Sequence, residues 1–102
     1  MEGHASISPD VLARYAADAA KEVEGVRGLV ESHVPRHRAV RIAVSDDETV
    51  SAEVHLSLEW GASFGEVGQA VQDQVGDYLE RMARARPGRV DVVVDEVGPV
   101  RA

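Results

Sequence analysis

At 102 residues the chain is sized for one domain and can bury about 60–70% of its unfolded surface without covalent staples. With no cysteine it has no disulfide framework and no thiolate nucleophile, and no stretch approaches the ~20 apolar residues of a membrane span. A net charge of −7 opposes polyanion binding by the molecule as a whole.

Residues 1–6 lack periodicity and are expected to be a flexible end; Met1 to His4 also lack the basic-then-apolar pattern of a signal peptide. Ser8-Pro9 opens a helix, with a hydroxyl N-cap and proline at the first helical position, where its missing N–H costs nothing. Ile7 and Leu12 can form a hydrophobic staple around that cap. Val11, Leu12, Tyr15, Ala16, Ala19 and Val23 make one apolar stripe, and Gly25 is the expected residue just beyond the helix end. Within residues 26–38, Leu29 to His33 could form a short strand, but Pro35 and the charge of Arg36-His37-Arg38 favour a connector.

Val40, Ile42 and Val44 alternate with Arg41, Ala43 and Ser45, a half-buried strand. A longer alternation follows: Val50, Ala52, Val54, Leu56, Leu58 and Trp60 are apolar, with Ser51, Glu53, His55, Ser57 and Glu59 between them. Residues opposite one another in an antiparallel pair face the same side, so Val44 must meet Val50 or Ala52. The hairpin loop around Asp46-Asp47-Glu48 therefore has an odd number of residues or carries a bulge. Gly61 ends the strand, and Ser63 with Glu66 three residues on reads as a capping box. Phe64, Val67, Val71, Val75, Tyr78 and Met82 then mark an amphipathic helix, ended near Arg86 by Pro87-Gly88. Gly68 and Gly76 inside it signal either close approach to the first helix or simple tolerance. Val90, Val92 and Val94 alternate with Asp91, Val93 and Asp95 in a last strand.

The order α-β-β-α-β predicts an α+β fold, a two-layer sandwich with two helices on one face of a three-stranded mixed sheet, the central and last strands parallel. By parity the other face carries Glu53, His55 and Glu59, Arg41 and Ala43, and Asp91, Val93 and Asp95.

No arrangement in the chain points to catalysis. His33 and His37 have the spacing of a helical metal pair, but Pro35 between them breaks the helix, so no metal and no cofactor is expected. Asp46-Asp47-Glu48 lacks the twelve-residue loop of a calcium site. No serine sits in a nucleophile-elbow motif. Gly25-Val26-Arg27-Gly28 matches the GxxG that clamps nucleotides in KH domains, and with the basic run Arg36 to Arg41 it supports an alternative reading as a KH-like nucleic-acid module. Trp60 is either an interface anchor or a core edge.

In several features taken in order the chain resembles the alkaline shock protein family, the envelope-stress proteins of Gram-positive bacteria. These are Ile7-Ser8 opening a helix with an Ala-Ala doublet, Val23-Glu24-Gly25-Val26, the strand ending Glu59-Trp60-Gly61, Ala70 to Val75, and the closing Val90 to Val94 followed by Val97-Gly98. Tryptophan stands where the family usually has tyrosine before the glycine, and Pro87-Gly88 where it often has threonine-glycine. The likeness runs over about Ile7 to Val100 and makes the whole of 1–102 a single alkaline-shock-protein-like domain. It implies a non-enzymatic, cytoplasmic, stress-associated protein working near the envelope. It also implies protein partners, among them a membrane-anchored family member and further copies of the chain, with neither nucleic-acid binding nor direct membrane insertion. The partner-binding residues expected on this reading are Glu53, His55, Glu59, Trp60, Asp91 and Val93.

Overall fold

The computed structural model describes residues 8–30, 38–83 and 86–100. The order is α1 (Pro9–Lys21), β1 (Val26–Leu29), β2 (Val40–Val44), β3 (Thr49–Glu59), α2 (Phe64–Ala83) and β4 (Arg86–Gly98). The α+β class holds, but the sheet has four strands rather than three, because part of the expected connector is β1.

β3 organises the sheet. β4 runs parallel to it along its whole length and so occupies one edge. β1 and β2, both antiparallel to β3, must therefore share the other: Val26 to Leu29 lie opposite Leu58 to Leu56, and Val40 to Val44 opposite Val54 to Val50. They meet at His55. The Val30 N–H donates to the His55 carbonyl (3.0 Å), and the His55 N–H donates to the Ala39 carbonyl (2.8 Å). β1 and β2 are thus one antiparallel row along β3, with Val30 and Ala39 both opposite a single residue. The resulting sheet is mixed, with the parallel β3–β4 pair expected from the βαβ order.

The hairpin parity holds as well. Val44 faces Val50, and the loop is the odd one: Asp46, Asp47 and Glu48, closed by Glu48 N–H to Ser45 carbonyl (2.9 Å). Glu48 takes φ 66°, the left-handed residue such three-residue loops need.

The helices cover the even face of β3. Val54, Leu56 and Leu58 are fully buried against Ala16, Ala19 and Ala20 of α1 and Val71, Val75 and Leu79 of α2. Alanines on α1 let the helix axis approach closely. Ser8 caps α1, its Oγ accepting from the Val11 N–H (3.3 Å), with Pro9 at the first turn; the Ile7 staple and residues 1–6 lie outside the described residues.

Several expectations need correction. α1 ends at Lys21 with Glu22 as its cap, so Gly25 does not close the helix. It serves the corner into β1 instead: φ is +95°, and a Cβ there would stand 2.8 Å from Val67 Cγ2. On α2 the buried ridge is Val67, Val71, Val75 and Leu79 at constant four-residue spacing, leaving Phe64 and Met82 exposed and Tyr78 half-buried. Gly68 and Gly76 have nothing within 4 Å of an added Cβ, so they do not mark close approach to α1. α2 ends by Ala83, earlier than Arg86, and Pro87-Gly88 lies in β4. Proline fits there because β4 is an edge strand, and Gly88 because a Cβ would meet the Val50 carbonyl at 2.8 Å. Val44, at the hairpin end, is exposed rather than core.

Candidate partner-binding surfaces

The odd residues of β3 form the sheet face that neither helix covers. Ladder register places Glu53 between Arg41 and Asp91, and His55 beside Val93, as parity predicts. The register slips between Leu56 and Ser57, so that β4 spends an extra residue at Asp95. Beside that slip Asp95 meets His55. The imidazole is held from both sides: Nδ1 lies 2.7 Å from Asp95 Oδ2, and Nε2 lies 2.7 Å from Glu53 Oε2.

A neutral imidazole has one N–H and one bare nitrogen, so it cannot donate to two carboxylates. Only the imidazolium satisfies both. Accordingly the His55 pKa is raised above its ordinary value, chiefly by the Glu53 hydrogen bond, against an opposing effect of desolvation and with Asp95 adding in the same direction. His55 is not the only basic group on this face. Arg41 Nη1 lies 4.0 Å from Glu53, and Arg89 Nε donates to Asp91 (3.2 Å). Acidic as it reads in sequence, the face is largely neutralised by its own side chains. A shallow cavity of about 400 Å³ opens here, between Val30, Arg38, Arg41 and the His55 cluster.

This cluster is not arranged as a metal centre. Glu53 and Asp95 sit at opposite nitrogens of one ring and do not converge on a common point, and among the described residues no group of three ligands does. The His33–His37 pair lies outside the described residues.

Glu59 and Trp60 belong elsewhere. Glu53 and Glu59 are six residues apart on one strand, roughly 20 Å. β3 stops at Glu59, and Trp60 enters a turn in which Gly61 takes φ +86°. The core-edge reading of Trp60 therefore fails: strand alternation no longer applies there, and Trp60 is 66% exposed. Its backbone is nonetheless fixed, with N–H donating to the Gly98 carbonyl (2.8 Å). A groove of about 410 Å³ lies beside it at the β3–α2 corner, rimmed by Glu24, Glu59 and Glu66 and floored by Gly25, Ala62, Val67 and Ala70.

The GxxG segment does not present a free loop. The Gly25 carbonyl accepts from the Glu59 N–H (2.9 Å), and Gly28 is paired with Ser57 in β1. Of the basic run, Arg36 and His37 are outside the described residues, while Arg38 pairs with Asp10 (3.1 Å) and Arg41 with Glu53. At the hairpin tip Asp47 accepts from Ser45 and Thr49, which holds its carboxyl below the usual range.

Parity alone misses Arg27. Standing at a bulge in β1, it crosses the open face, Nε donating to the Pro99 carbonyl (3.1 Å) and Nη1 to Ser57 Oγ (3.3 Å). Ser57, expected to be wet, is buried beneath it at 3% exposure. Glu24 and Glu66, far apart in sequence, likewise line one groove with Glu59.

No helix among the described residues is long and apolar enough to cross a membrane. In solved structures the fold recurs in MamM CTD. A manganese form aligns with TM-score 0.64 and 19% identity over 85% of this chain and 96% of that one. A cadmium form aligns with TM-score 0.63 and 20% identity over 87% and 98%, and a nickel form with 0.61 and 19% over 85% and 96%. At such identities the likeness is one of fold. No curated protein matches the chain in sequence. The family comparison is direct, spanning residues 1–99 and bearing out the resemblance carried by the helix opening, the central strand and the closing valines: the chain belongs to the alkaline shock protein 23 family, described as having a cell envelope-related function.

Proposed function

We propose that the protein is a non-catalytic, envelope-stress-associated interaction module that docks partner proteins on the uncovered face of its sheet, at the cytoplasmic side of the envelope. The observation that carries this reading is the His55 cluster. An imidazole clamped between two carboxylates, with Val93 beside it and Arg41 across the ladder, makes a half-buried polar surface with no helix over it. Surfaces of this kind favour recognition by matched charges, which govern association rate and specificity more than folding. The partner proposed is a membrane-anchored family member presenting a basic segment, which would take over the carboxylates that His55 now engages; further copies of the chain are a second partner class. Membership of an envelope-related family supports the location.

The test is a paired recovery from membrane and soluble fractions of the native cell, comparing the wild type with a Glu53→Lys, Asp91→Lys double variant. Both residues are partly exposed and the pairs they make are worth little, so the melting temperature is expected to fall only slightly while partner recovery falls strongly. Undiminished recovery by the folded double variant rules the face out. Tight, salt-sensitive binding of single-stranded RNA, lost on Arg38→Ala, replaces the proposal with the nucleic-acid reading.

A further inference from the structure

We propose that the groove at the β3–α2 corner is a receptor for a cationic side chain, arginine or lysine, carried on a segment of a partner protein. The groove is independent of the open face and does not rest on the reading given for it.

Four observations converge. Trp60 is two-thirds exposed on a turn whose backbone is fixed by Gly98 and closed by Ala62 N–H to Glu59 carbonyl (3.0 Å), so its ring is displayed by a rigid mount. Among the described residues no cation lies over that ring, whereas Arg81 does stack on Tyr78, 5.9 Å from its centroid. Tryptophan is the strongest of the aromatic faces for a guanidinium or ammonium group.

The three rim glutamates are the third. Among the described residues Glu24, Glu59 and Glu66 form no ion pair, and no lysine or arginine lines the groove. The open face, by contrast, matches its carboxylates with Arg41, His55 and Arg89.

Glu66 supplies the fourth. In a capping box its carboxylate would reach back to the Ser63 N–H. Only half of the box is made: the Glu66 N–H donates to Ser63 Oγ (3.4 Å), but no return bond forms, and Glu66 lines the groove instead. An exposed π face, three unmatched carboxylates and an apolar floor of Ala62, Val67 and Ala70 suit a long side chain with an apolar stem and a cationic head.

Because Trp60 is the only tryptophan in the chain, its fluorescence reports on this groove alone. The probe is a capped hexapeptide of alternating glycine and arginine, compared with the same peptide carrying glutamate in place of arginine. The arginine peptide is expected to change Trp60 emission saturably and to shift the amide resonances of Gly61, Ala62 and Val67; the glutamate peptide does neither. Glu59→Gln with Glu66→Gln should weaken binding about five- to tenfold, and raised salt should weaken it further. An exposed control on α2, Glu80→Gln, should leave the affinity unchanged. The proposal is overturned if the emission and resonances do not move at millimolar peptide, if the shifts map to His55 and Val93 instead, or if the double glutamine variant binds as well as the wild type. It is also overturned if sedimentation shows self-association that Trp60→Leu abolishes, since a second copy would then be the occupant.

Discussion

The two faces of β3 are made from alternate residues of the same eleven-residue strand, yet they are stabilised in different ways. On one, Val54, Leu56 and Leu58 are sealed by two helices and gain their stability from removal of apolar surface from water. On the other, Glu53, His55 and Ser57 are shielded only by one another and by side chains reaching across from neighbouring strands. A face without a covering layer can still become half-buried, provided its charges are matched. That condition makes the open face specific in shape but sensitive to pH and to competing ions, whereas the covered face responds to neither.

The largest expected effect tests the covered side. Leu56 is fully buried at the centre of the core, so Leu56→Ala should cost about 2–5 kcal/mol, read as a shift of the urea unfolding midpoint at unchanged slope. A shift within the range of exposed substitutions would mean that the helices do not seal this face.

The same comparison shows what could be read from sequence. Period two along residues 50–58 assigns every even residue correctly to the core, because burial by a helix layer follows backbone alternation directly. The helix starts, the odd hairpin loop and the parallel last strand were legible for similar local reasons. β1 was not: Val26-Arg27-Gly28-Leu29 is four residues long, has no alternation and contains a bulge, so its strand character comes only from the β3 edge it pairs with. On the open face, parity brings Glu53, His55, Asp91, Val93 and Asp95 together, but it also adds Glu59 at the far end of β3 and sets Trp60 with the buried even residues, because nothing in an alternating pattern says where a strand stops. Parity puts Asp95 on the face of His55, but shows neither the register slip beside it nor the burial of Ser57 under an arginine thirty residues earlier. Both are tertiary facts with no periodic signal.

Ser57 gives the middle-sized effect. By alternation alone Ser57→Ala should be nearly silent. With the hydroxyl buried under Arg27 and accepting from its Nη1, the expected cost is about 1 kcal/mol, the usual net value of one hydrogen bond. Arg27→Ala should cost at least as much, since it also releases the Pro99 carbonyl, and the double variant should cost less than the sum of the two. Additive losses would separate Ser57 from Arg27 and return this part of the open face to simple solvation.

The smallest effect is the most informative about the open face, since it changes with pH and the core does not. The His55 pKa is raised in the folded protein above the ordinary value of about 6.5. A raised folded value means that the native state holds the proton more tightly than the unfolded chain. The stabilisation is therefore fully present below about pH 6.5 and is lost as pH rises through the higher folded value. Its size is bounded by partial exposure: the His55, Glu53 and Asp95 side chains are 26%, 39% and 37% exposed, and pairs this wet contribute up to about 1 kcal/mol. The ring is held by Glu53 on its own strand and Asp95 from β4, and Arg38, Arg41 and Glu96 line the cavity beside it. Glu53 first and Asp95 with it hold the proton on, against the opposing effect of desolvation. Two-dimensional NMR titration of the His55 ring should give a pKa above that of the unfolded chain. Glu53→Gln should lower it more than Asp95→Asn, because the Glu53 hydrogen bond is the main cause of the shift. His55→Gln should lower stability at pH 5.5 and have progressively less effect as pH rises past the folded value. A loss equal at both ends of that range would show that the ring contributes by packing alone, and the open face would then differ from the covered one in accessibility rather than in kind.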